Sequence, residues 1–229
     1  MNLLTTKIAF IFDLFDTLTG YESDWSSIPG VSVLLGFSSK AWNDQLLLYS
    51  NERLTGKLKD PFLIIRNMAH NIDNTISDDI IREVVIKRTN RYEDALQNIP
   101  AENIETITKL RLLNKKIALL SNADVMECSG WDNSPLKPLL DVVVFSCEAG
   151  FAKPDPAAYE YCMNKLGVDG RDCLFVGDGG SSELVGAHLV GITTVFVSDK
   201  MKVKQPEAVN ERIQQSDFYI ESIPELLYL

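Results

Sequence analysis

Basic residues are few in this chain: 22 lysines and arginines stand against 32 aspartates and glutamates, giving a net charge of −10 and a pI near 4.7. Neutralising a nucleic-acid backbone takes clustered Lys and Arg, so this balance argues against a nucleic-acid partner. Long apolar runs are missing too. The best candidate, Met1–Phe12, is too short to span a bilayer and leads straight into acidic residues. It has neither the basic start nor the small-residue cleavage site of a signal peptide, so no membrane partner and a cytoplasmic location are expected. Four cysteines (Cys128, Cys147, Cys162, Cys173) show no C-x-x-C spacing, which argues against metal knuckles and thioredoxin-type chemistry and leaves reduced thiols as the default. The two histidines, His70 and His188, are isolated from one another. No internal repeat or low-complexity tract is visible.

What is present is apolar pattern. With 229 residues, 45% of them hydrophobic, the chain buries a full core and suits one domain plus a modest insertion. Lys7–Phe12 is a continuous β-rich run without polar alternation, as expected of a parallel strand covered on both faces. The pattern returns at Lys116–Leu120, Val142–Phe145, Cys173–Val176 and Thr193–Val197. Helix-length segments lie between the strands at Pro100–Leu113, Pro156–Leu166 and Ser182–Val190. Alternation of this kind predicts an α/β fold, a doubly wound, Rossmann-like parallel sheet. Phe218–Ile220 reads as an edge strand before a terminal Ile223–Leu227 helix.

The segment between the first two strands reads differently. Ser39 is a candidate cap for a helix through Trp42, Leu46, Leu47 and Tyr49. Asp60-Pro61 is an N-cap followed by a first-turn proline, ahead of Phe62, Ile65 and Met68. Ser77-Asp78-Asp79 opens a third helix carrying Ile80, Ile81, Val84 and Val85, with acids at the positive end of its dipole. The expected division is an α/β core of residues 1–18 and 100–229, interrupted by a helical insertion at 19–99.

Four short segments carry candidate chemistry. Each follows an apolar run and so falls at the carboxyl edge of the sheet, where open α/β folds bind ligands. Asp13 ends the first strand, Ser121-Asn122 the second, Lys153 follows the third, and Asp178 ends the fourth with Glu183 five residues on. A lone Asp after a strand is usually a turn former. A carboxylate, a hydroxyl, an ammonium and a second carboxylate from four sheet edges instead form a site able to hold a phosphoryl group on a divalent metal. Part of the pattern is structural: Asp155 and Pro156 start a helix, and Gly179-Gly180 permits a sharp turn.

Taken in order, Phe12-Asp13-Leu14-Phe15-Asp16-Thr17-Leu18, Leu120-Ser121-Asn122, Lys153-Pro154-Asp155-Pro156 and Gly177-Asp178-Gly179-Gly180-Ser181-Ser182-Glu183 resemble the four motifs of the haloacid dehalogenase-like hydrolase superfamily. The resemblance implies that Asp13 is a nucleophile forming a covalent aspartyl intermediate. It implies that Ser121 binds a phosphoryl oxygen, that Lys153 neutralises charge on both, and that Asn122 orients loop or substrate. It implies Mg²⁺ held by Asp13, Asp178 and the Phe15 backbone carbonyl, supported by Glu183. The 19–99 insertion falls where the family carries its cap, a lid over the active site.

One position departs from the pattern. The family's phosphatases have an Asp at position 15 that protonates the leaving alcohol, and Phe15 cannot do so. Asp16, where the family usually has Gly, is the first substitute acid, against the plainer reading that it stabilises its own loop with Thr17. Four activities stay open: a Mg²⁺-dependent phosphatase for a small phosphorylated metabolite, which ranks first; a non-catalytic binder of a phospho-ligand or protein; a 2-haloacid dehalogenase, whose branch also has an aromatic residue here; and a phosphonoacetaldehyde hydrolase using a cap lysine. Arg53 and Lys57 fall in a likely cap loop and are candidates to clamp a second anionic group, or simply form a polar turn. Trp25, Trp42 and Trp131 are read as packing residues ahead of pocket residues. Monomer and homodimer both remain open.

Overall fold

A computed structural model describes residues 3–229; Met1 and Asn2, which open the amino-terminal apolar run, lie outside it. Six strands form one sheet: β1 (Ala9–Phe12), β2 (Lys116–Ser121), β3 (Val142–Phe145), β4 (Cys173–Gly177), β5 (Thr193–Val197) and β6 (Phe218–Ile220). All pair in parallel, in the order β3-β2-β1-β4-β5-β6. The continuous apolar runs have their expected cause, since the sheet is covered on both faces. Side chains alternate along β1, so Phe10 and Phe12 enter one apolar cluster with Leu96, Ile107 and Leu110, while Ala9 and Ile11 enter another with Tyr159, Cys162 and Leu184. The predicted terminal helix is a 3₁₀ segment, Ile223–Tyr228, opened by a reciprocal Ser222–Glu225 cap. No helix among the described residues is long and apolar enough to cross a membrane.

The chain runs outward from β1 through β2 to β3, then returns to β4 on the other side of β1. The direction of winding therefore reverses between β1 and β4, and a crevice opens at their carboxyl ends. Asp13 directly follows β1 and Asp178 directly follows β4, so topology alone brings them together.

Between β1 and the core helix Ala101–Leu112 the chain is helical: Val31–Leu35, Ser39–Leu48, Ser50–Leu54, Pro61–His70 and Asp78–Gln97. These helices form an inserted cap with an apolar cluster of its own, built on Val31, Trp42, Ile64, Ile65, Met68, Ile81 and Val84. Asp60 caps its helix as expected, accepting from the Phe62 and Leu63 amides, and Ser77 accepts from Ile80. Ser39 is not the cap of the helix it was expected to open. Ser38 has the extended backbone a cap needs and accepts from the Ala41 amide, whereas Ser39 is already helical. Met126, from the core segment that follows β2, is buried inside the cap cluster.

Cap and core approach closely at Gly56, whose φ is +69°. A Cβ there would lie 2.0 Å from the Cys147 carbonyl oxygen, while Gly36, at φ +70°, has open space. Gly36→Ala should therefore cost only the left-handed backbone penalty, about 1–2 kcal/mol. Gly56→Ala should cost clearly more, because cap and core must also move apart. Urea midpoints of the two variants check this; equal losses would contradict the contact.

Candidate active site

Asp13, Asp178 and Glu183 are all buried, and each offers a carboxylate oxygen lying within 4.8 Å of those of the other two. Lys153 reaches between them: its Nζ donates to Asp13 Oδ1 at 2.5 Å and to Glu183 Oε2 at 2.6 Å. Burial pulls the Lys153 ammonium down, but Asp13 and Glu183 outweigh it and hold the group above its ordinary value. The carboxyl of Asp178 is pushed up to about 6, first by burial and then by the charge of Asp13. Glu183 is raised as well, by burial and by Asp13, against the opposing pull of Lys153. Lys153, with Arg212 at 3.6 Å from the Asp178 carboxylate, still leaves three crowded carboxylates against two cations. A hard divalent cation suits this donor set, because it would favour all three charged forms at once.

The loops are shaped to permit this crowding. Glu183 Oε1 accepts from the Gly179 amide, and any side chain at Gly177 would meet that oxygen at 2.1 Å. Asp178 Oδ1 accepts from the Gly180 amide at 2.8 Å. The expected glycine turn is only partly glycine: Gly179 takes φ +80°, but Ser181 and Ser182 are also left-handed, at φ 51° and 54°. Non-glycine residues held there cost about 1–3 kcal/mol each, so the β4 loop is a strained segment beside the carboxylates.

Asn122 makes a reciprocal pair with the Lys153 backbone, donating to its carbonyl and accepting from its amide, both at 2.8 Å. It thus sets the path of the loop from which the Lys153 side chain projects. Ser121 is buried and its Oγ has no hydrogen-bond partner. An orphaned hydroxyl at this sheet edge fits a ligand oxygen.

Phe15 packs against Trp25 and Tyr92, with ring centroids 5.5 and 5.3 Å away. Asp16 has φ 59°, a conformation that Asp tolerates better than most residues after Gly, and its Oδ2 accepts from Lys204 at 2.6 Å. Its amide donates to Thr19 Oγ1 at 3.1 Å. Backbone conformation and ion pairing thus give Asp16 a structural place in the loop.

A small cavity of about 170 Å³ is lined by Asp13, Phe15, Asp16, Asn122, Lys153, Asp178 and Glu183. It shares Asn122, Lys153 and Ser181 with a larger one of about 620 Å³ between cap and core, lined also by Leu47, Leu54, Lys57 and Phe151. The expected cap pair is divided between two places. Lys57 lines the larger cavity. Arg53 lines neither cavity; it is buried against Asp124 and Glu127, because a desolvated guanidinium needs carboxylates. His188 is exposed, 3.8 Å from Asp217, and His70 bonds the Ile76 carbonyl. Neither lines these cavities.

Sequence reading missed Arg212, which donates to the Asp178 carbonyl at 2.6 Å, and Lys204. Nothing local signals either one, since both reach the site from the far end of the chain. Asp124-x-x-Glu127 was legible as a reciprocal helix cap.

Residues 9–191 match the model of the haloacid dehalogenase-like hydrolases, and the chain belongs to that family. It is 32% identical over 204 residues to (S)-2-haloacid dehalogenase 4A from Burkholderia cepacia, spanning 83% of this chain and 82% of that one. It is 33% identical to phosphoserine phosphatase from Thermus thermophilus over 67 residues, 29% of this chain and 27% of that one. For other curated relatives the chain spans between 10% and 53% of their length. The fold is similar to L-2-haloacid dehalogenase from Xanthobacter autotrophicus, with TM-score 0.67 at 19% identity, over 97% of this chain and 98% of that one.

Because the Ser121 hydroxyl has no partner, Ser121→Ala should leave stability within about 0.5 kcal/mol of the parent. Urea denaturation measures this, and a loss above about 1 kcal/mol would reveal a hydrogen bond the structure does not contain.

Proposed function

We propose that the chain is a Mg²⁺-dependent phosphohydrolase acting in the cytoplasm on a small anionic, phosphorylated metabolite. The observation that carries this reading is the buried convergence of Asp13, Asp178 and Glu183 at the β1/β4 switch point. Asp13, Asp178 and the Phe15 carbonyl would hold the ion, with Glu183 in support. When bound, Mg²⁺ supplies the charge neutralisation that lets an anionic nucleophile meet an anionic phosphate.

Asp13 then attacks phosphorus, the bond to the ester oxygen breaks, and that oxygen leaves with its electron pair. Ser121 Oγ donates to a phosphoryl oxygen and Lys153 offsets the accumulating negative charge. Water attacks phosphorus of the aspartyl-phosphate, the P–O bond to Asp13 breaks with its electron pair going to the carboxylate, and the water's proton passes through solvent to the departed oxygen, which leaves free phosphate and Asp13 restored. Lys57 faces the outer cavity, where it would meet a second anionic group of the substrate. Asp16 Oδ2 is paired to Lys204 at 2.6 Å, and we assign it to holding the loop.

A second reading rests on Phe15 and on the long match to (S)-2-haloacid dehalogenase 4A. Asp13 would attack C2 of a 2-haloacid and expel halide, a leaving group that needs no acid. The retained Asp178 and Glu183, beside Asp13, weigh against it. A turnover screen of phosphomonoesters and 2-haloacids, with and without Mg²⁺, separates the two. Mg²⁺-dependent phosphate release is expected, metal-independent halide release would select the dehalogenase, and no turnover of either would favour a non-catalytic binder.

Asp13→Asn should remain folded and lose roughly 10³-fold or more in turnover. Calorimetric titration should find Mg²⁺ binding much weakened in Asp178→Ala; unchanged binding would move the ion elsewhere. With no acid at position 15, aryl phosphates should react faster than alkyl phosphates by about 10²–10⁴, the usual contribution of general acid catalysis. Equal rates on the two ester classes would require another proton donor.

A further inference from the structure

Four charged side chains are buried together where cap meets core: Arg53 at 8% exposure, Arg88 at 3%, Asp124 at 0% and Glu127 at 7%. Arg53 comes from the cap helix Ser50–Leu54 and Arg88 from the cap helix Asp78–Gln97. Arg88 donates to Glu127 Oε1 at 2.7 Å and to Asp124 Oδ1 at 3.2 Å, and Arg53 donates to Asp124 Oδ2 at 3.2 Å. Both carboxylates belong to the segment that leaves β2 immediately after Ser121 and Asn122. They also close that segment on itself, since Asp124 accepts from the Met126 amide and Glu127 from the Asp124 amide.

Charges this deep are costly, and Arg53 Nε has no partner at all. An apolar contact of the same volume would often hold cap to core at least as well. An apolar contact is in fact present beside the charges, because Met126 of this segment is part of the cap's own cluster. Adhesion therefore does not explain the ions. Direction does: a charged hydrogen-bond pair fixes where a loop lies, which packing alone does less sharply. The loop so fixed carries the orphaned Ser121 hydroxyl, and through Asn122 it holds the Lys153 backbone, whose side chain reaches Asp13.

We infer that Arg53 and Arg88 are positioning residues that clamp the β2 loop from the cap, so that the cap supports Ser121, Asn122 and Lys153. The kinetic arm of the test rests on the phosphohydrolase reading; the exchange arm does not.

Hydrogen exchange followed by mass spectrometry would compare the full chain with Arg53→Met, Arg88→Met, Arg53→Lys and Glu127→Gln. Arg66→Met serves as control, since Arg66 pairs with Asp78 within the cap. In Arg53→Met, amides of residues 122–128 and 150–155 should exchange about tenfold faster while residues 64–69 keep their protection. On an aryl phosphate, kcat should fall about 10²-fold with KM little changed. Arg53→Lys should recover part of both effects. If Arg88→Met fails to fold, Arg53→Met and Glu127→Gln still decide.

Exchange in 122–128 no faster than in the control, or faster only in step with the whole chain, would overturn the clamp. So would a kcat within about twofold of the parent in a variant whose segment has loosened. If the parent turns over no phosphate ester, it is the proposed reaction that has failed, and exchange alone judges the clamp.

Discussion

Crowded negative charge at one edge of the sheet is the constraint around which the rest of the site is arranged. Winding reverses between β1 and β4, which delivers Asp13 and Asp178 to a common crevice, and the helix after β4 adds Glu183. Two anions cannot approach in a desolvated space unless something offsets their repulsion. Lys153 supplies part of that, bridging Asp13 and Glu183, and Arg212 lies 3.6 Å from the Asp178 carboxylate. The glycine at 177, the amides of Gly179 and Gly180 and the strained turn at Ser181-Ser182 all serve the same end, since they let carboxylates lie against backbone donors.

The first-strand loop divides its duties in an unusual way. In the resembled phosphatases a single aspartate at position 15 would protonate the leaving group. Here that side chain is aromatic and joins Trp25 and Tyr92, so the loop is held by ring packing on the cap side. The neighbouring carboxylate, Asp16, turns toward Lys204. Both side chains thereby contribute to holding the loop.

The cap is tied to this machinery at three kinds of contact: the aromatic group around Phe15, the close approach of Gly56 to Cys147, and the buried ions around Asp124. Each meets a different sheet-edge loop, those after β1, β3 and β2. The larger cavity opens between these contacts, so the shape a substrate meets depends on how the cap is seated.

The parallel sheet was legible because doubly covered strands must be apolar throughout, and β3, β5 and β6 match the sequence reading at both ends. The helical insertion was legible from Asp60-Pro61 and Ser77-Asp78-Asp79, whose capping chemistry acts within a few residues. Asp13, Ser121 and Asp178 could be named because each ends or directly follows an apolar run, and strand ends are local features; Lys153, beyond the helix that follows β3, was legible from its Lys153-Pro154-Asp155-Pro156 motif. Arg53 misled because sequence reveals a cation but not its partner: the carboxylates that bind it are more than 70 residues away, and only the seating of cap on core joins them. The same holds for Lys204 and Arg212, which reach the site across 188 and 34 residues of chain. Propensity and periodicity are written in neighbouring residues and can be read there. Which buried charge answers which is a property of the folded packing, because desolvation and Coulomb attraction act through space between residues that the chain itself keeps far apart.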